Sequence, residues 1–149
     1  MFRLKMLPAR EGDCLWIEYG EPKKPLRILV DTGTPENFKA LANRILSLPQ
    51  DQQRFELFVI THIDSDHIGS ATRLLEEPPS ELTFGDVWFN GYRHLLAATD
   101  RLGARQAQEL TVALERGEQP WNKAFGSGPV MVADHGRLPR IELDGGLVL

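Results

Sequence analysis

The chain has 149 residues, 42% of them hydrophobic and 26% charged, with a formal net charge of −4. That length makes one domain with a real core, and the acidic balance excludes a broad electrostatic grip on nucleic acid, though not a local basic path to a catalytic centre. The single cysteine, Cys14, excludes an intrachain disulfide; no apolar run approaches a membrane span; and Glu11 and Asp13 come too early for a signal peptide, so cytoplasmic residence is expected.

The pattern from Phe2 to Leu7 alternates apolar and polar residues, as a half-buried strand does. After the turn Glu11-Gly12-Asp13, Cys14 to Tyr19 alternates again, with Leu15, Ile17 and Tyr19 on one face and Cys14, Trp16 and Glu18 on the other. Pro22 to Pro25 reads as a hairpin connection, and Leu26 to Val30 as a third strand ending at Asp31-Thr32-Gly33. A helix is expected next, with Thr34 as N-cap, Pro35 in its first turn, and Phe38, Leu41, Ala42, Ile45 and Leu46 at helical spacing up to Pro49. Glu56 to Ile60 reads as a strand buried on both faces. Ile68, Ala71, Thr72 and Leu75 make a short helix whose N-terminal dipole would favour an anion nearby. Val87 to Phe89 is a short strand, Gly103 to Glu115 a helix, and Gln119 to Gly136 a loop. Arg140 to Leu149 reads as turn plus strand, and the apolar run Leu147-Val148-Leu149 suggests a strand that continues beyond it.

The chemistry concentrates in Thr61-His62-Ile63-Asp64-Ser65-Asp66-His67-Ile68-Gly69, directly after the apolar run Leu57 to Ile60. Two imidazoles and two carboxylates at that density would desolvate and repel one another in a plain turn. A divalent cation resolves the conflict, because both groups ligate zinc, manganese or iron. His62 and Asp64, two apart, point the same way on an extended loop, while Asp66 and His67 can turn toward a neighbouring point. That arithmetic suits two cations sharing a water. The competing interpretation is a polar helix cap with Asp66 as the cap.

A strand followed by Thr-His-x-Asp-x-Asp-His-x-Gly resembles the signature loop of the metallo-β-lactamase-fold hydrolases, with Asp64 where the usual form has histidine. That variant is similar to the branch typified by the DNA-uptake protein ComEC. Gly12-Asp13-Cys14-Leu15-Trp16-Ile17 and Leu29-Val30-Asp31-Thr32-Gly33 also fit, and the resemblance covers roughly Phe2 to Asn90. It implies an α+β fold of the αββα sandwich type: a mixed, mainly antiparallel sheet with helices on one face. Residues 1–149 would form the first half of the domain, without the C-terminal half that normally completes the ligands. It further implies that His62 and Asp64 hold one ion, and that Asp66 and His67 hold a second. Asp66 would orient the attacking water and Asp31 would support the loop from behind. One or two zinc or manganese ions are the implied cofactor, Asp64 tilting preference toward manganese or iron. The implied activity is hydrolysis, of a phosphodiester or nucleic acid by analogy.

Weaker candidates are His94, for substrate, and His135, for an added ligand. Cys14 reads as a buried strand residue, and Trp16, Trp88 and Trp121 as packing. Gly126-Ser127-Gly128 is a weak phosphate-cradle motif. The alternative function is a non-catalytic assembly or sensing module, or the inactive half of a split hydrolase, joined to a partner chain or second copy through an exposed C-terminal strand.

Overall fold

The computed structural model describes residues 1–91, 94, 105–132 and 138–149. The expected meander is there: β1 (Phe2–Met6), β2 (Leu15–Glu21) and β3 (Lys24–Val30) pair antiparallel. A 3-10 turn over Pro35–Asn37 leads into α1 (Phe38–Leu46), which carries the chain across to β5 (Leu57–Val59), parallel to β3. The connection from β5 holds α2 (Ser65–Ile68) and α3 (Ala71–Glu76) and returns to β7 (Val87–Trp88), parallel to β5. The five strands lie in the order β1-β2-β3-β5-β7, while β4 (Arg54–Phe55) and β6 (Thr83–Phe84) form a small parallel pair beside them. Helix α4 (Arg105–Arg116) packs on α3. The fold is mixed α+β, and its longer ladders are antiparallel.

Register explains the two faces. Trp16, Leu29, Phe58 and Val87 pair in succession across the sheet, and all four are fully buried with the helices in the main core. The opposite face is a second apolar row, Leu15, Val30, Val59 and Trp88, flanked by Ile17, Ile28 and Leu57. Leu143 and Leu147 cover part of it. Phe2, Leu4 and Met6 on β1 share that face and stay 63%, 51% and 74% exposed.

Four expectations change. Leu46 is 51% exposed, outside the buried stripe of α1, and Thr34 caps no backbone N–H, its hydroxyl accepting instead from Asn37 Nδ2. The helix expected over Ile68 to Leu75 is two pieces meeting at Gly69-Ser70, so no long aligned dipole faces the loop. At 140–149 a 3-10 turn, Asp144–Gly146, and one Glu142–Val148 bridge replace the expected strand; Ile141 and Leu149 exchange backbone hydrogen bonds of 2.9 Å.

The stretch expected as loop at 119–136 is built where described. Trp121 bridges Val87, and the Asp86 carboxylate accepts from Val87 N, Trp88 Nε1, Lys123 N and Ala124 N. Fully buried Asn122 bonds Phe89 N and O and Gly128 O. The N–H groups of Gly126, Ser127 and Gly128 all turn inward to Lys123, Asn122 and Phe125 carbonyls, so this segment forms no phosphate cradle.

Cys14 is buried as expected, and burial, with the Asp31 charge near it, pushes its thiol up to about 12. An unfolded chain ionises near the ordinary value of about 8.5. Stability should therefore fall as pH climbs above that value, by about 1.4 kcal/mol per pH unit from this group. A disulfide reagent at pH 8.5 should label Cys14 only after denaturant unfolds the chain.

Candidate metal centre

Because β3 and β5 run parallel, their carboxyl ends leave the sheet side by side, the usual place for a site in such sheets. Asp31 follows β3, and Thr61 and His62 follow β5. Asp31 N donates to Val59 O at 2.9 Å, and its backbone takes a left-handed φ of 56°, which Asp tolerates better than most residues. Its carboxylate, 2% exposed, accepts from Thr61 N (2.9 Å), Thr61 Oγ1 (2.6 Å) and His67 Nδ1 (3.0 Å).

Thr32 clamps the other side of the loop. Its N–H and hydroxyl donate to His67 O, and its hydroxyl accepts from Ser70 N. Gly69 closes the turn because a Cβ there would stand 2.4 Å from Pro35 Cδ and 2.5 Å from Ser65 O. The β1–β2 loop lies against the same turn. A Cβ on Gly12 would stand 1.5 Å from Asp66 O, and Asp13 Oδ2 is 3.9 Å from His67 Nδ1.

The proton count in this network is forced. Ionised Asp31 only accepts, so the Thr61 hydroxyl proton points to Asp31. Thr61 Oγ1 then has no proton for His62 Nδ1, 2.8 Å away, and His62 Nδ1 must donate to it. His67 Nδ1 donates directly to Asp31. In their neutral forms both rings therefore present a bare Nε2. His62 Nε2 stands 3.7 Å from Asp64 Oδ2, and His67 Nε2 stands 3.6 Å from Asp66 Oδ2. A lone pair beside a carboxylate is repulsive unless a proton or a metal cation lies between them. Two ligands on one tetrahedral cation, with bonds of about 2.1 Å, stand roughly 3.4 Å apart. The donor set therefore fits a divalent cation. Ligand atoms of Asp31, His62 and His67 also lie within 4.8 Å of one another, and the two imidazole centroids are 3.7 Å apart.

Burial opposes charge on His67. The Asp31 hydrogen bond and the carboxylates of Asp31, Asp66 and Asp13 outweigh it and hold the His67 pKa above the ordinary histidine value. Proton and cation compete at Nε2, so cation affinity, followed by calorimetry, should rise with pH through that raised value.

Among the described residues the ligand atoms that come together are those of Asp31, His62 and His67, so Asp31, expected as a support, stands within the candidate group, while Asp64 and Asp66 approach it pairwise at His62 and His67. Asp64 is the outermost, its side chain 72% exposed. His94 is elsewhere: its buried ring packs edge-on to Trp121, with Nε2 3.2 Å from Ser127 O, as a brace for the 119–128 segment. His135 lies outside the described residues. Thr61 and Asp13 were not among the expected site residues. Thr61→Val should free the His62 tautomer and weaken cation binding roughly tenfold, as loss of a ligand's supporting hydrogen bond does, while Thr61→Ser restores it. Nitrogen-15 shifts of the His62 ring would report the tautomer directly.

Fold and centre together define an α+β domain with a candidate divalent-cation site at paired strand ends. Residues 10–82 match the family model of the metallo-beta-lactamase superfamily, a stretch that runs from the β1–β2 loop past the metal loop. The fold is consistent with part of a metallo-β-lactamase fold. No curated protein matches the chain. Among the described residues no helix is long and apolar enough to cross a membrane.

Proposed function

We propose that this chain carries the cation-binding loop of a metal-dependent hydrolase. The observation that carries the reading is the approach of His62 Nε2 to Asp64 Oδ2 at 3.7 Å and of His67 Nε2 to Asp66 Oδ2 at 3.6 Å, beside a buried Asp31. A bound divalent cation would supply a Lewis acid and an acidified water. The chain's own groups do the rest. Asp31 fixes both imidazoles, directly and through Thr61; His62 with Asp64, and His67 with Asp66, offer the ligand atoms. Asp66, 3.6 Å from His67 Nε2, would accept a proton from the attacking water. The resemblance alone implies a phosphodiester substrate. Calorimetry with manganese and with zinc, alongside release of p-nitrophenol from a phosphodiester and from carboxylic esters, tests the reading. Binding of at least one ion that His67→Ala abolishes is expected. Absence of binding by either metal would overturn it.

A second reading, an assembly module or part of a split hydrolase, is favoured by the exposed apolar side chains of Phe2, Leu4 and Met6. Its signature is self-association or partner capture lost in Leu4→Asp, read by sedimentation.

A further inference from the structure

Beside His62 lies a pocket of about 400 Å³. The carboxyl ends of β5 and β7 make its floor, with Val59, Trp88 and Phe89 among its lining residues, and Val130 and Ile63 add to its walls. It is built rather than incidental. Asn90 holds Val130 at two points, donating from Nδ2 to Val130 O (2.8 Å) and accepting at Oδ1 from Val130 N (2.7 Å). Asp86 fixes the Trp88 indole through Nε1 at 2.9 Å, and Phe125 packs edge-on against that ring. The Asn90 side chain is thus occupied in holding the wall. Among the described residues no lysine or arginine lines the pocket, and the nearby loops carry Asp13, Asp31, Asp64 and Asp66.

Phosphate recognition calls for fixed cationic or N–H donors. Among the described residues the lining is mostly apolar, with Thr61, His62 and Asn90 its polar members, which favours an uncharged hydrocarbon group. Resting on the hydrolase reading above, we propose that the pocket seats the aliphatic acyl chain of a neutral carboxylic ester, with the ester carbonyl at His62. In the reaction the water oxygen bonds to the acyl carbon, the acyl C–O bond breaks, and a proton from the water passes to the leaving alkoxide. The products are a carboxylic acid and an alcohol. Specificity resides in Val59, Trp88 and Val130, which no ligand role requires.

The test has a binding arm and a turnover arm. In the first, neutral aliphatic amides from acetamide to octanamide are titrated into the metal-free chain, and the Trp88 indole N–H resonance is followed. Affinity should rise roughly fourfold per methylene, at about 0.8 kcal/mol each, until the pocket is full. Val130→Trp should abolish the response to the long amides, and Val130→Ala should move the limit to longer chains. In the second, p-nitrophenyl alkanoates with cation bound should show the same dependence on chain length in kcat/KM, and bis(p-nitrophenyl) phosphate should be the poorer substrate. An indole unmoved by any amide, binding indifferent to Val130→Trp, or preference for the phosphodiester would each overturn the proposal. Chain-length-dependent amide binding in a chain that takes up no cation would sustain the pocket assignment while removing the hydrolase reading. Cation binding without amide binding would do the reverse.

Discussion

Asp31→Asn should lower cation affinity roughly 100-fold and destabilise the fold by about 3 kcal/mol. For a domain of this size that is a fall in Tm of roughly 10 °C. The substitution is nearly isosteric, and asparagine accepts the left-handed φ of 56° as readily as aspartate. Backbone strain therefore does not enter. What changes is the sign of one group. The carboxylate takes three donors from Thr61 and His67. An amide keeps one acceptor for Thr61 N and sets an NH2 against the Thr61 hydroxyl and the His67 Nδ1 proton. Donor faces donor in a buried place unless the rings flip to the tautomer with the proton on Nε2, which removes the lone pair a cation needs. Asp64→Asn is the control, because its side chain is 72% exposed. It should weaken cation binding and leave Tm unchanged. Calorimetric binding and thermal melts of the two variants separate the roles. Equal behaviour of Asp31→Asn and Asp64→Asn would mean that Asp31 is an ordinary ligand and not the support of both rings.

Residue type and local spacing carry information that survives without coordinates, and residues linked only through the sheet do not. His62 and His67, which share a candidate cation site with Asp31, are legible because ligand-type residues fill six consecutive positions after a buried strand. The two faces of β2 are legible because alternation has a period of two. Thr61 is illegible: a threonine hydroxyl gains its role only from the carboxylate 30 residues away that the parallel pairing of β3 and β5 brings to it. The same holds for Asp86 and Asn122, which turn a glycine-rich stretch into a pinned lobe through contacts more than 30 residues apart in sequence. His94 shows the same dependence on distant contacts. The sequence offers it only as a weak substrate candidate, and in the structure the ring is buried against Trp121. The break at Gly69-Ser70 is not legible, because apolar spacing says nothing of the clamp that Thr32 places on His67 and Ser70. Gly12-Asp13 was visible as a motif, but its meaning was not, since that depends on which backbone lies across from it.

That backbone makes Gly12→Ala the second large effect. The glycine here does not serve a left-handed turn, so the argument is purely steric. A methyl group would sit 1.5 Å from Asp66 O and 2.5 Å from Asp66 C, atoms of a main chain that Thr32 and Pro35 already hold from the other side. Relief must come from the β1–β2 loop or from the metal loop. The first is tied by Gly33 N donating to Asp13 O at 2.8 Å, and by the Gly12 N to Ala9 O turn. Movement of the 61–69 loop carries Asp66 and His67 away from His62, and movement of the β1–β2 loop carries Asp13 away from His67. The expected loss is about 3 kcal/mol, at the upper end for overpacking a tight contact. Cation affinity should fall at least tenfold with it. Gly20→Ala isolates ordinary glycine strain, since Gly20 has a φ of 83° and nothing within 4 Å of an added Cβ. It should cost about 1 kcal/mol and leave cation binding intact. If Gly12→Ala instead melts and binds like the parent chain, the β1–β2 loop does not rest on the metal loop, and Asp13 has no part in setting the charge on His67.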